Sequence, residues 1–497
     1  MSIATRSINT PQPETSPEPS PARRSRLSII LPLPAGKALG VLILSILVLL
    51  TAVCLIEIPI LHHSNGNILF PIDSAYVNIT VGRNLAFYQV WGVSKYAFQS
   101  AASSLLYPIA LAPFFFIFGA HLIIPLVVNF LAAAYFLLML QRTLIRYNVP
   151  PVRQLLVLLA AMALTLLPLL VVSGMEYTLQ LLFVYLFMDA LVQTLSAPGA
   201  KSGPIYMFAL LAVAARYEDF LIVALASLLL GLHKGWKPAI KLAAIAAAPI
   251  IVFGIISLLK KSYFLPNSML VGPYPTYSLI LAALATGIAA WLIIGYSAAV
   301  QKPRPAQASA ANAHAPQARP TRPQRTPAFV IPGIAILALL IIPFTTRNAA
   351  NLAHFQSDCK RIYDEQYLTA HFVHLYYNRQ TVGTNTPGAI SYFSEGRKLD
   401  FTGVASNDVV RFTSEHGWTP QYADSLGKKD GIRVAIVADP WFRAEQLPRW
   451  IKVATWGLAN QSNINFYVVE NYDTTWLRRR LHEYQPLLPT SVSVKYY

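Results

Sequence analysis

Four short polar stretches interrupt a very apolar chain, and they carry residue types able to do chemistry. Asp73 lies in FPIDSAYVNI (70–79) and Glu176 closes SGME (173–176). Arg216 and Glu218 lie in RYED (216–219), and Lys260, Lys261 and Asn267 lie in KKSYFLPNSML (260–270). A carboxylate can take the proton of an attacking hydroxyl. Lysine and arginine hold anions, and only arginine offers two parallel donors. Charges beside apolar runs are costly and tend to face a cavity. Each residue also has a plainer role. Asp73 serves as a helix cap, Glu176 as a first-turn acid favoured by the helix dipole, Arg216 and Glu218 as a structural pair, and Lys260 and Lys261 as snorkelling interfacial lysines.

What must position these residues is a membrane architecture. The chain has 497 residues, 55% hydrophobic and 12% charged, with mean hydropathy +0.47. That balance excludes an ordinary soluble protein. The net charge of +17 lies largely in short loops between apolar runs. It is therefore better explained by topology than by nucleic-acid binding. Cys54 and Cys359 sit in different settings and imply no disulfide framework. The first apolar run is too long, and lacks a clear small-residue site, for a cleaved signal peptide.

A helix needs about 20 apolar residues to cross a bilayer. The runs 38–56, 121–141, 154–172, 177–195, 238–259, 277–300 and 328–345 meet that length. Two shorter runs, 204–215 and 220–232, flank the RYED turn as a helix pair. The run 102–118, interrupted by Pro108 and Pro113, reads as a juxtamembrane or re-entrant segment, with a further span as its alternative. The expectation is an α-helical polytopic membrane protein with about 9–10 spans. Residues 1–36 form a disordered cytoplasmic N-terminus, 37–345 the transmembrane domain and 346–497 an extracytoplasmic α/β domain. Within the membrane part, 57–120 is the first outer loop and 301–327 a flexible cytoplasmic linker. Basic clusters at Arg23–Arg26, Arg142–Arg153, Lys234–Lys241 and Lys302–Arg325 then fall inside. The same topology puts Asp73, Glu176, Arg216 and Asn267 on one face with the C-terminal domain. In that domain a helix is expected near 351–377, strands at 381–385, 389–393, 433–438 and 464–469, and a late helix at 475–484.

Taken together, DSAYVNITVGRNL (73–85), SGME (173–176), RYED (216–219), FLPNSM (264–269) and the stretch TVGTNTPGAISYFSEGRKLDFTGV (381–404) resemble the GT-C superfamily of membrane glycosyltransferases. The likeness is to bacterial mannosyl- and arabinofuranosyltransferase-like members and runs over most of 38–404. There are departures. Ser74 stands where a second acid is common, Thr80 where an arginine is common, and RYED replaces an RPEG-like motif.

The resemblance implies a polyprenyl-phosphate sugar donor and transfer to a hydroxyl of a glycan, lipid or protein acceptor at the plasma or inner membrane. It implies Asp73 as general base, with Glu176 orienting acceptor or base. Arg216, Lys260, Lys261 and Asn267 would hold the donor phosphate, and Tyr76, Arg83 and Glu218 would line the substrate pocket. Direct displacement inverts the anomeric centre. No cofactor is required. His62–His63 and His371/His374 lack zinc-like partners, while an oxygen-ligand cation site using Asp73 and Glu176 stays open. A transporter or flippase for a lipid-linked sugar, or a non-catalytic scaffold, are the competing readings. The chain shows no internal repeat of the kind many transporters carry.

Overall fold

The computed structural model describes residues 34–196, 203–271, 353–438, 447, 449–458, 463–469 and 472–497. The expected spans 277–300 and 328–345, the 301–327 linker and residues 1–33 lie outside the described residues. So the span count is not read from the fold.

Apolar length dictates the first part. Helices α1 (Lys37–His63), α4 (Ile123–Arg146), α7 (Tyr177–Ser196) and α10 (Trp236–Leu259) are long and apolar enough to cross a membrane. Exposed Leu47, Leu55, Ile58, Ile255 and Leu259 suit a lipid environment. Between the first two lie α2 (Asp73–Tyr88) and α3 (Leu106–Phe118). They pack so closely that a Cβ on Gly82 would come within 3.1 Å of the Pro108 carbonyl. The 13-residue α3 is too short to span, as its two prolines suggested. The expected span 154–172 is a correction. It breaks into α5 (Pro151–Leu164) and α6 (Leu167–Val172) at Leu166, whose φ is +48°. Pro168, in the first turn of α6, cannot donate back to the preceding turn. Helices α8 (Gly203–Ala215) and α9 (Phe220–Lys234) meet at a 3₁₀ turn over Tyr217–Asp219, as the RYED interruption implied. A short α11 (Asn267–Val271) follows α10.

The C-terminal part is a three-layer α/β domain. It opens with α12 (353–377), which contains a π-helical segment at Ile362–Tyr367. Then come β1 (Val382–Thr384), α13 (Pro387–Phe393), β2 (Lys398–Asp400), α14 (Asn407–His416), α15 (Pro420–Asp430) and β3 (Val434–Ala438). The chain ends with β4 (Trp450–Gly457), β5 (Asn463–Val469), α16 (Thr474–Tyr484) and β6 (Ser493–Tyr496). Strand order is β2-β1-β3-β5-β4-β6. The first three strands are parallel, with Gly383 opposite both Leu399 and Ala435, and the remainder are antiparallel.

Alternation along β3 sends Val434 and Ile436 to one face and Ala435 and Val437 to the other. The first pair packs with Phe372, Leu477 and Tyr484 of α12 and α16. The second packs with Val409, Ala423 and Leu426 of α14 and α15. The stretch 389–393 was expected as a strand and is instead the helix α13. Pro387 supplies a preset φ at its first turn, and packing on α2 and α12 overrides the strand propensity of Ile390, Tyr392 and Phe393.

Candidate functional site

Asp73 opens α2, and its partners come from the far end of the chain. Its carboxylate accepts the backbone N–H of Gly388 at 3.1 Å and of Ala389 at 3.0 Å. Those amides are unpaired donors of the first turn of α13. Gly388 is obligatory for this approach, because a Cβ there would lie 2.5 Å from the Asp73 Oδ1. Three turns along α2, Arg83 donates to the carbonyls of Ser391 and Tyr392, at the C-terminal end of α13. An acid thus meets the N-terminal end of α13 and a base its C-terminal end, each matched to the helix dipole. The two side chains clamp the α/β domain onto the region between the first two long apolar helices, α1 and α4. Lys95 adds an exposed 2.8 Å pair with Glu395. Tyr76 is a core residue, fully enclosed by Phe70, Tyr392 and Phe393, with its hydroxyl accepting the Phe70 N–H. It has no face left for a sugar, which corrects its assignment to a substrate pocket.

The clamp sits where the sheet geometry favours ligands. From β1 the chain moves outward through α13 to β2, then returns past β1 through α14 and α15 to β3. Helices after β1 and after β2 lie on opposite faces, which makes the carboxyl ends of β1 and β3 a topological switch point. There Asn385 bridges the strand ends, donating to the Ala438 carbonyl at 2.7 Å and accepting the Ala438 N–H at 2.9 Å. Asp400 ends β2, buried and bonded to the Thr402 and Ala405 amides. Burial pushes the Asp73 carboxyl up to about 6, against the lowering pull of its two amides, with Asp400 raising it further and Arg361 lowering it. The residue is half-buried, and each carboxylate oxygen accepts one hydrogen bond and so retains a lone pair.

A second cluster gathers three of the sequence-derived candidates. Glu176, fully buried, accepts from Asn78 at 2.9 Å, Ser103 at 3.1 Å and Arg216 at 3.2 Å. The second arm of Arg216 reaches Glu218 at 3.3 Å, and its guanidinium lies 5.1 Å from the centre of the Tyr177 ring. Asn78 and Ser103 also bond each other, so α2, the loop before α3, the start of α7 and the α8–α9 turn share one network. Neither Asn78 nor Ser103 stands out by residue type. Asn78 lies five residues after Asp73 in the quoted motif, and that proximity was its one signal.

The third group is separate. Asn267 is fully buried, with its amide donating to Asn407 of α14 at 2.9 Å and its backbone N–H to Ser100. Asn407 turns back to Ser262 at 2.7 Å. Lys260 and Lys261 end α10, and among the described residues neither shares a hydrogen bond or ion pair with the Glu176 network. Among the described residues no three His, Cys, Asp or Glu side chains gather in metal-binding geometry. His371 pairs with the Tyr484 hydroxyl at 3.0 Å.

A family model described as a domain of unknown function, DUF8728, matches residues 357–476. It covers the α/β domain from α12 into α16, including Gly388 and Ala389 but not Asp73. No curated protein and no solved structure matches the chain.

Proposed function

We propose that the protein is a membrane glycosyltransferase that uses a polyprenyl-phosphate sugar, with Asp73 as its general base. The observation that carries this reading is the position of Asp73. A carboxylate from the segment after the first apolar helix reaches the carboxyl ends of the parallel strands, where α/β domains take ligands. A base poised near neutral pH suits proton removal from a hydroxyl. In the proposed step the acceptor oxygen bonds to the anomeric carbon as its proton passes to Asp73. The bond from that carbon to the donor phosphate oxygen breaks, and its electron pair leaves with the lipid phosphate. The leaving charge needs cations rather than a covalent nucleophile. Lys260 and Lys261 carry ammonium groups for it, with no ion pair among the described residues. Arg216 is engaged by two carboxylates, so its contribution lies in holding Glu176 and Glu218 as much as in phosphate binding.

One other reading has an observation in its favour. Two amide hydrogen bonds to Asp73 are also what a purely structural clamp requires, which suits a non-catalytic scaffold. Sugar transfer from a polyprenyl-phosphate donor by purified protein in lipid separates the two. Turnover that Asp73→Asn removes without loss of donor binding supports the enzyme. Donor binding without turnover in the unaltered protein supports the scaffold.

A further inference from the structure

The described residues line a half-open cavity of about 270 Å³ where the C-terminal end of α1 meets α12. Its lining combines apolar Pro59, Ile60 and Leu69 with polar His63, Lys360 and Tyr363; Ile60, Leu69 and Tyr363 are buried, and Pro59 and His63 are exposed. The volume is several times the roughly 30 Å³ share of a single water.

Depth follows from helix length. α1 has 27 residues, about 40 Å at 1.5 Å per residue, against a hydrocarbon core of about 30 Å. Counting about 20 residues from Lys37 reaches the edge of that core near Glu57. Ile60, His63 and the cavity then lie at headgroup level, with exposed Leu55 just inside the core edge. This holds whichever side of the membrane the end of α1 occupies.

The rim is rich in donors. Tyr363 accepts from the Asn65 amide at 3.2 Å, which leaves its own hydroxyl hydrogen to give. Lys360 makes no ion pair among the described residues. Ser64 and Ser357 spend their hydroxyls on backbone carbonyls. Among the described residues no carboxylate lines the cavity. Glu57 and Asp364 are not among its lining residues, and burial pushes the Asp364 carboxyl up from its ordinary value.

We infer that this cavity binds the phosphate of an anionic phospholipid headgroup, held by Lys360, His63 and the Tyr363 hydroxyl, with the start of the acyl chains along Pro59 and Ile60. The site would tie the α/β domain to the bilayer surface through a lipid. It stands apart from the Asp73 and Glu176 clusters and does not depend on glycosyl transfer.

The test uses the full chain in nanodiscs of mixed phosphatidylglycerol and phosphatidylcholine, with retained lipid counted by native mass spectrometry after detergent transfer. The unaltered protein should retain phosphatidylglycerol preferentially. Lys360→Glu should lower that retention about tenfold, the worth of one charge-assisted bond. Ser357→Trp fills the exposed rim without altering charge and should lower it comparably. Equal retention by all three proteins overturns the site. Loss with Lys360→Glu but not with Ser357→Trp also overturns it, in favour of diffuse surface attraction. Displacement of the lipid by excess inorganic phosphate would make it a free-phosphate site instead. If Lys360→Glu does not fold, Ser357→Trp and the phosphate arm still decide.

Discussion

Two carboxylates, Asp73 and Glu176, begin in the same position, each at the start of a helix in a polar stretch beside an apolar span. They end in opposite situations. Glu176 is enclosed by two neutral donors and an arginine, so its charge is matched from every described side. Asp73 is met by two backbone amides and no cation within ion-pair distance among the described residues. The difference is one of supply. Side chains from three other segments converge on Glu176, and a saturated buried network of that kind rigidifies a fold. Asp73 receives dipoles rather than charge, near the carboxyl ends of β1 and β3. A carboxylate left partly uncompensated is the better base, and the compensated one is the better rivet.

The largest expected effect tests the first half of that contrast. Asp73→Asn keeps the shape but loses the basic oxygen, and it should lower transfer by roughly 2–4 orders of magnitude while donor affinity changes little. Near-normal turnover in correctly inserted variant protein would remove Asp73 from the chemistry. The pH dependence carries a sign that can be checked alongside. The base works ionised, so activity should fall as pH drops through about 6. The stability contribution runs the other way. A carboxyl raised from 3.8 to about 6 favours the folded state most below pH 4, and that gain is lost as pH rises through 6. Thermal unfolding and rate measured across pH 5–8 should therefore move in opposite directions.

The second half of the contrast is broken by Arg216→Ala. Removing the cation leaves Glu176 as a buried, unpaired charge, a loss of about 3–5 kcal/mol. A large drop in unfolding temperature with modest change in donor affinity fits a rivet. The reverse pattern would make Arg216 a phosphate ligand and exchange the two roles.

Gly388→Ala should have a smaller effect, and it discriminates in a different way. The added methyl must displace Asp73 or shift α13, an overpacking cost of about 1–3 kcal/mol. Because the change lies in the α/β domain and alters no chemical group, a fall in turnover well beyond the fall in stability would show that the clamp positions the base. Unchanged turnover would detach Asp73 from the α13 contact as a functional feature.

The sequence revealed most where a local pattern is sufficient. Four helices of spanning length follow from apolar run length, and the α8–α9 joint follows from charges inside an apolar stretch. Strand β3 is buried on both faces and reads as a continuous apolar run, and β5 carries a shorter one over Phe466–Val469. What was missed depends on distant partners. The Asp73–Gly388 bond joins residues 315 apart, and no periodicity reports it. The residues AISYF look like a strand until α2 and α12 supply a helix-shaped seat. β4, in WIKVATWG, shows no clean alternation, because Thr455 is buried while Ile451 is exposed, and β2 and β6 are too short to show a period. The break at Leu166 hides within leucines on both sides, and only Pro168 marks it.

Lys261 offers the smallest effect and a clean separation of charge from backbone. Its φ is +60°, and it follows the C-cap of α10. Its N–H reaches the Leu258 carbonyl at 3.0 Å, and the Ser262 N–H reaches the Ser257 carbonyl at 2.8 Å, the paired bonds of a Schellman ending. Glycine is the usual residue there, because an L side chain in that conformation costs about 1–2 kcal/mol. Lys261→Gly should therefore stabilise the protein by up to about 1 kcal/mol once the greater entropy of the unfolded glycine is offset. If the Lys261 ammonium also holds the donor phosphate, the same variant should weaken donor affinity while it raises the unfolding temperature. Lys260→Gln, at an ordinary φ, should then weaken binding without that gain. A stabilised Lys261→Gly protein with unaltered donor affinity would leave Lys261 as a turn residue and move the phosphate subsite away from the end of α10.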